Sequence, residues 1–308
     1  MTPAPVNELQ QRPQIYVLGP NQDARLSSVA AGAEIAELLL TVDTDAPFML
    51  TGRSLRCTRS TDSGLNQAPL QFLQSRWTGP HRDYRHQSYL LESLQMAYFG
   101  QIGNPKPIAP GVLYPPGSTL MVDIRNRGSS AIPNLTFFWV GFKMFPPGAV
   151  PAYTYPEIAS TQTFSYPVFV SQLAYNEIRR DQIFTVKPDA DFVWRAGQGI
   201  PTVVSGGRVL SEVSVIFKDH EKNPYMSDFV PFDILFGVGG FPSAFPLGPT
   251  PVFVPPFGTG PASPGILYPE IYLPKNHQLL YDLKRAETVS RPAEDFQFNL
   301  IGAKVWAK

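Results

Sequence analysis

Gly111-Val112-Leu113-Tyr114-Pro115 returns later in the chain as Gly265-Ile266-Leu267-Tyr268-Pro269, and its surroundings return with it. Leu120-Met121-Val122-Asp123-Ile124-Arg125 is echoed by Leu279-Leu280-Tyr281-Asp282-Leu283-Lys284, and Val140-Gly141-Phe142-Lys143 by Ile301-Gly302-Ala303-Lys304. Upstream, Thr41-Val42-Asp43-Thr44-Asp45-Ala46-Pro47-Phe48 matches the eight residues from Thr185 to Phe192 without a gap. The spacing widens from 144 residues between Thr41 and Thr185 to 161 between Gly141 and Gly302, as when a second copy has gained loop insertions. Self-similarity on this scale constrains architecture before any local signal does. It predicts two copies of one module.

Within each copy the period is two. Leu120, Val122 and Ile124 share one face and Met121, Asp123 and Arg125 the other, the alternation of a strand with one buried side. Leu279, Tyr281 and Leu283 repeat it against Asp282 and Lys284, and the closing strands place Leu135, Phe137 and Trp139, or Phe296, Phe298 and Leu300, inward. After Gly141 and Gly302 the alternation slips, which predicts a β-bulge in both copies. Proline, at 33 of 308 residues, is about twice its usual 5%. It lacks an amide donor and breaks helix interiors, while 21 Phe and 13 Tyr demand burial. The predicted class is all-β: two tandem antiparallel β-sandwich domains, jelly-roll-like and related by internal duplication.

The expected boundaries are an N-terminal arm and short helix over 1–35, a first sandwich over 36–146, a Pro/aromatic linker over 147–180 and a second sandwich over 181–308. The helix is expected within Ser27–Leu40, which carries Ala30, Ala31, Ala33 and Ala36. A hairpin through Asp45-Ala46-Pro47 is expected to join the Leu38/Leu40/Val42 alternation to Phe48-Met49-Leu50. The run from Arg76 to His86, interrupted by Gly79-Pro80, reads as a long exposed loop that includes Trp77.

Lys+Arg and Asp+Glu are both 25, so the net charge is zero, and no general attraction to nucleic acid or acidic lipid follows. Charged residues are 16% of the chain, against about 25% in an ordinary soluble domain, which leaves surface suited to cover by neighbouring subunits. Cys57 is the single cysteine, so no internal disulfide forms. There is no apolar run near the length of a membrane span and no signal-type segment at the start. Synthesis in a cytoplasm, without membrane insertion, is the expectation.

Motifs for chemistry are sparse. Neither GxxxxGK[ST] nor GxGxxG in a strand-to-helix setting occurs, nor does GxSxG. Cys57, flanked by Arg53, Arg56 and Arg59, reads as a small half-buried strand residue rather than an activated thiol. His81, Asp83 and His86 lie close in sequence, but the spacing fits no common zinc pattern. Asp123 and Asp282 are equivalent, as are Asp45 and Asp189. Their basic neighbours make cross-strand ion pairs or turn caps the simplest role, and no equally spaced acid dyad supports glycoside hydrolysis. Trp77, Tyr84, Trp194 and Trp306 are the aromatics to weigh for sugar stacking, with Trp194 assigned to the core beside the repeat. No catalytic residue, cofactor or metal is assigned.

Leu113-Tyr114-Pro115-Pro116-Gly117-Ser118-Thr119-Leu120-Met121-Val122-Asp123-Ile124-Arg125-Asn126, closed by Val140-Gly141-Phe142-Lys143-Met144-Phe145, resembles a β module of structural proteins of tailed bacteriophages. Pro47-Phe48-Met49-Leu50-Thr51-Gly52-Arg53 is similar to that module's first hairpin. The resemblance covers roughly 38–145. In the second copy Ala196-Gly197 is read at the place of Thr51-Gly52, and Gly302-Ala303-Lys304 replaces Gly-Phe-Lys. It implies a non-enzymatic virion protein, assembled in the host cytoplasm, that binds itself and capsid, portal or neck subunits as a decoration, minor capsid or head–tail component. An oligomer without nucleic-acid or membrane partners is expected. The contact residues nominated are Tyr16 on the arm, Tyr153, Tyr155 and Phe164 in the linker, Phe245, Phe253 and Phe257 in the 241–264 insertion, and Trp77, Arg82 and Arg85 in the basic loop. A carbohydrate- or receptor-binding sandwich, reading sugar through Trp77, is the alternative.

Overall fold

The computed structural model describes residues 10–57, 70, 72–81, 91–92, 100–101, 104–146, 158–201, 213–235, 265–285 and 293–307, and every structural statement below concerns these. The first half contains β1 (Gln10–Leu18), β2 (Ser28–Val29), β3 (Glu34–Thr41), β4 (Phe48–Arg56), β5 (Leu73–Trp77), β6 (Leu91–Glu92), β7 (Gly100–Gln101), β8 (Asn104–Tyr114), β9 (Thr119–Asn126), β10 (Ile132–Pro133) and β11 (Thr136–Phe145). The second contains β12 (Ile158–Leu173), β13 (Ile178–Thr185), β14 (Asp191–Pro201), β15 (Val213–Lys218), β16 (Val230–Pro231), a helical turn (Phe232–Leu235), β17 (Gly265–Leu273), β18 (Gln278–Arg285) and β19 (Glu294–Ala307).

The chain is all-β, as its period predicts. One sheet of the first half runs β1-β11-β4-β8, with β7 beyond β8, and its mate runs β3-β9-β5-β6; β2 and β10 form a small separate ribbon. The second half runs β12-β19-β14-β17 and β13-β18-β15-β16. Apart from β2, β7 and β10, each half has eight strands, and their order along the chain gives sheets 1-8-3-6 and 2-7-4-5 both times. That winding, antiparallel throughout, is the eight-stranded jelly roll. The inward residues form two cores, one around Phe48, Val122, Phe137 and Trp139, the other around Phe192, Trp194, Tyr281 and Phe298.

The halves agree in detail as well as in plan. Opposite Val140 and Gly141 the pairing skips Thr51, and opposite Ile301 and Gly302 it skips Arg195, so both bulges exist but the extra residue lies on the strand facing the glycine. A Cβ on Gly141 would collide with the Met49 carbonyl oxygen, and one on Gly302 with that of Val193. Only glycine allows so close an approach. A second matched bulge interrupts β3 between Ile35 and Leu38 and β13 between Arg179 and Gln182, with Glu37 and Asp181 both at positive φ, 55° and 49°. The turns before β9 and β18 match too: Ser118 N donates to Pro115 and His277 N to Pro274, with Gly117 and Asn276 left-handed at 69° and 63°.

Several expectations change. The pentapeptide repeat does not mark equivalent places: Phe48 faces Tyr114 and Phe192 faces Leu273. Tyr114 therefore corresponds to Leu273, five residues past Tyr268. Likewise Ala196 occupies the position of Gly52, and Arg195 that of Thr51. The expected arm is β1, fully paired with β11 from Gln10 to Leu18, so the first module begins before residue 36. Ser27–Leu40 is not a helix but a 3-10 turn (Ala24–Ser27) followed by β2 and β3. Its alanines offer a helix little to bury, whereas Leu38 and Leu40 alternate into the core. The Asp45-Ala46-Pro47 turn is a crossing rather than a hairpin, since β3 and β4 lie in opposite sheets. Residues 158–173, expected as linker, are the first strand of the second module. Tyr166, Val168 and Val170 point inward, and Pro167 sits on an edge strand, where a missing donor is tolerated.

Candidate interaction surface

The repeated carboxylates tie strands and turns within each module. Asp123, 1% exposed, accepts from the Glu37 amide at 2.8 Å and from Arg76 Nε at 2.7 Å. Asp282, 2% exposed, accepts from the Asp181 amide at 2.8 Å and pairs with Lys218 at 2.6 Å. Each therefore satisfies the bulge amide of its edge strand and a cation from the strand on the other side. The cross-strand pairing was legible, but the neighbours Arg125 and Lys284 are not the partners; Arg125 pairs with Glu34. Buried Lys143 joins Asp45 and Asp43, at 2.9 and 2.7 Å, and Lys304 joins Asp189 in the same way. Lys304 holds the Asp189 carboxyl below the usual carboxylate range.

A tyrosine repeats as well. Tyr16 Oη accepts from the Asp43 amide at 3.0 Å and its ring meets Phe48 edge-on at 4.9 Å. Tyr166 Oη accepts from the Lys187 amide at 3.3 Å and its ring meets Phe192 at 4.9 Å. Burial raises both phenols. Cys57 is fully buried rather than half-buried, and its thiol is pushed up to about 12 by desolvation, the reverse of activation. His277 was not singled out from the sequence. Its ring lies 5.3 Å from that of His220, and burial first, then His220, lowers it to about 4. Among the described residues no group of three His, Cys, Asp or Glu side chains gathers to hold a metal, and no helix is long and apolar enough to cross a membrane.

Of the nominated contact residues, the structure moves two inside. Tyr16 is 1% exposed and Trp77 5%; Trp77 belongs to β5, with its ring 5.8 Å from that of Trp139. Arg76 and Trp77 are therefore strand rather than loop, and Trp77 offers no face to a sugar. Phe164 is half-buried on β12, 4.8 Å from Tyr166, with Lys304 Nζ 4.0 Å over its ring. Trp194 lies in the core as expected, 1% exposed. Tyr153, Tyr155, Phe245, Phe253, Phe257, Arg82 and Arg85, with Asp83, Tyr84 and His86, lie outside the described residues.

The surface that sequence reasoning missed is the seam between the modules. Ile15 donates to the Tyr225 carbonyl at 3.0 Å and accepts from the Ser227 amide at 2.9 Å, a parallel bridge centred on Met226. The Val17 amide donates to Ser227 Oγ at 2.9 Å. Arg12 pairs with Asp219 at 3.2 Å, both side chains largely buried, and its guanidinium stacks 4.8 Å over Tyr225. Asp219 is fixed in turn by the amides of Glu221 and Asn223. Ile15, Val17 and Phe138, from the outer face of the first module, are counted in the second module's core. The advance signal was that β1 and β11 are apolar at consecutive positions, Ile15-Tyr16-Val17-Leu18 and Phe137-Phe138-Trp139-Val140, as suits strands buried on both faces.

No family model and no curated protein matches the chain. Among solved structures it is similar to the CUB1-EGF-CUB2 domain of human MASP-1/3, at 10% identity over 97% of this chain and all of that one, with a TM-score of 0.20. It is also similar to the VP2 subviral particle of infectious bursal disease virus, at 11% identity over 96% of this chain and 70% of that one, again with a TM-score of 0.20. Neither likeness carries weight for fold or function at that score.

Proposed function

We propose that this chain is a non-enzymatic structural protein of a bacteriophage virion, a unit of the protein shell that binds further copies of itself and neighbouring virion proteins. The observation that carries this is the pair of complete jelly rolls in one chain, docked to each other along a strand edge. The jelly roll is an architecture of viral capsid domains, and it favours the shell itself over an accessory of the neck. The residues both modules retain support the same reading: Asp123 and Asp282, Tyr16 and Tyr166, Gly141 and Gly302 all serve bulges, turns and ion pairs. The resemblance of residues 113–145 to tailed-phage structural proteins adds the phage. A shared ancestor for the two modules accounts for bulges, turns and buried acids recurring at matched positions.

Lectin domains also use the jelly roll, but Trp77 and Trp194, two of the four aromatics weighed for sugar, are core. Gold-conjugated antibody against the chain, applied to particles from a producing lysate, tests the proposal. Label distributed over the particle surface is expected. Label confined to free protein, with particles bare, would contradict it.

A further inference from the structure

The face by which the first module receives the second has a counterpart on the second module. Register fixes the correspondence: Tyr16 faces Trp139 in β11, and Tyr166 faces Leu300 in β19, with Gly141 and Gly302 at matched bulges. Arg12 then corresponds to Gln162, Ile15 to Ser165, Val17 to Pro167 and Phe138 to Asn299. Every one of these changes removes something the seam uses. Gln162 lacks the charge that pairs with Asp219. Ser165 and Asn299 replace apolar groups that enter the second core. Pro167 has no amide to give where the Val17 amide donates to Ser227 Oγ. Neighbouring core positions of the same strands keep their character, Tyr16 as Tyr166, Leu18 as Val168 and Phe137 as Phe298. Gln162, Ser165 and Pro167 are exposed and Asn299 is half-exposed, whereas Ile15, Val17 and Phe138 are buried.

We infer that Arg12, Ile15, Val17 and Phe138 form a recognition face specific for the Asp219–Ser227 segment of a second module, and that Gln162, Ser165, Pro167 and Asn299 make the second module refuse that same segment. Contacts across this face are thereby ordered: a first module receives a second module, and two second modules do not meet there. Without such a difference, a head-to-tail contact between like modules extends into open chains. Proline and polar groups on an exposed strand edge are the usual means of stopping that.

The test moves the face from one module to the other in the full chain. The variant I15S/V17P/F138N removes it from the first module. The six-fold variant adding S165I/P167V/N299F installs it on the second, so that the freed segment of one chain can be taken only by another chain. Sedimentation velocity over a concentration series is expected to give the six-fold variant a weight-average mass that climbs above that of the three-fold variant. The three-fold variant should itself sediment more slowly for its mass than the wild type, as its modules part. Equal masses for the two variants at every concentration would overturn the inference. Should loss of Phe138 unfold the first module, I15S/V17P against I15S/V17P/S165I/P167V asks the same question with exposed positions alone changed in the second module. Association that persists when Ser227→Pro is added to the transferred-face variant would also overturn it, since the segment would then not be what is bound.

Discussion

Gly141 and Gly302 show how one residue fixes a feature of both modules. Each sits where a carbonyl of the facing strand occupies the space of a side chain, so a methyl group must displace backbone on a packed sheet. Gly141→Ala and Gly302→Ala are each expected to cost about 3 kcal/mol or more, read as a lowered urea midpoint with unchanged slope. The glycines were legible because the alternation slips there; the strand that carries the extra residue was not, since Thr51 and Arg195 bear no mark of it. Asp123 was legible as a repeated acid, but its cation was not, because Arg76 lies 47 positions away in a stretch read as loop. Asp123→Ala leaves the Glu37 amide without its acceptor, and a loss of about 2 kcal/mol is expected, measured by the same denaturation. His277 supplies a pH dependence. Its folded value, about 4, lies below the ordinary 6.5, so neutral His277 stabilises fully above pH 6.5. That contribution is lost as pH falls from there toward 4, because the unfolded chain takes up the proton first. The loss amounts to about 3 kcal/mol at most. Thermal melts from pH 7 to 4 should show this decline, and His277→Gln should flatten it; an unchanged slope would remove His277 as the cause.

At the scale of elements, β1 and β12 are the strands that composition concealed. Pro13 and Pro167 suggested arm and linker, yet both strands lie at sheet edges, where proline costs little. The inward run Tyr166, Val168 and Val170 has the same period as Leu120, Val122 and Ile124. The period was legible in β9 because Asp123 and Arg125 alternate with Leu120, Val122 and Ile124, and obscured in β1 because Ile15 and Val17 are buried by the other module. An arm could be cut without consequence for the fold. Deleting residues 1–18 is instead expected to abolish cooperative unfolding of the first module, since it removes Tyr16 and Leu18 from one core and Ile15 and Val17 from the other. Circular dichroism melts of the truncated chain check this; a melt like that of the intact chain would restore the arm.

At the scale of the whole molecule, the likeness of the two modules was legible and their docking was not. Matching phrases reveal equivalent positions because both modules must solve the same local problems of bulge, turn and buried acid. The pentapeptide that announces the repeat is itself out of step by five residues, since β8 and β17 are held by their pairing with β4 and β14 rather than by identity of sequence. A seam is built from what the two modules do not share, so comparing them for likeness passes over it. Under the proposed shell role, two jelly rolls joined by such a seam would act as one building block whose two modules present unlike edges. Quantitative mass spectrometry of purified particles tests this most directly, by counting copies of the chain per particle. The account predicts that it is among the most abundant proteins, in a fixed ratio to the other shell components from one preparation to the next. Absence from purified particles, or trace amounts that vary between preparations, would contradict it.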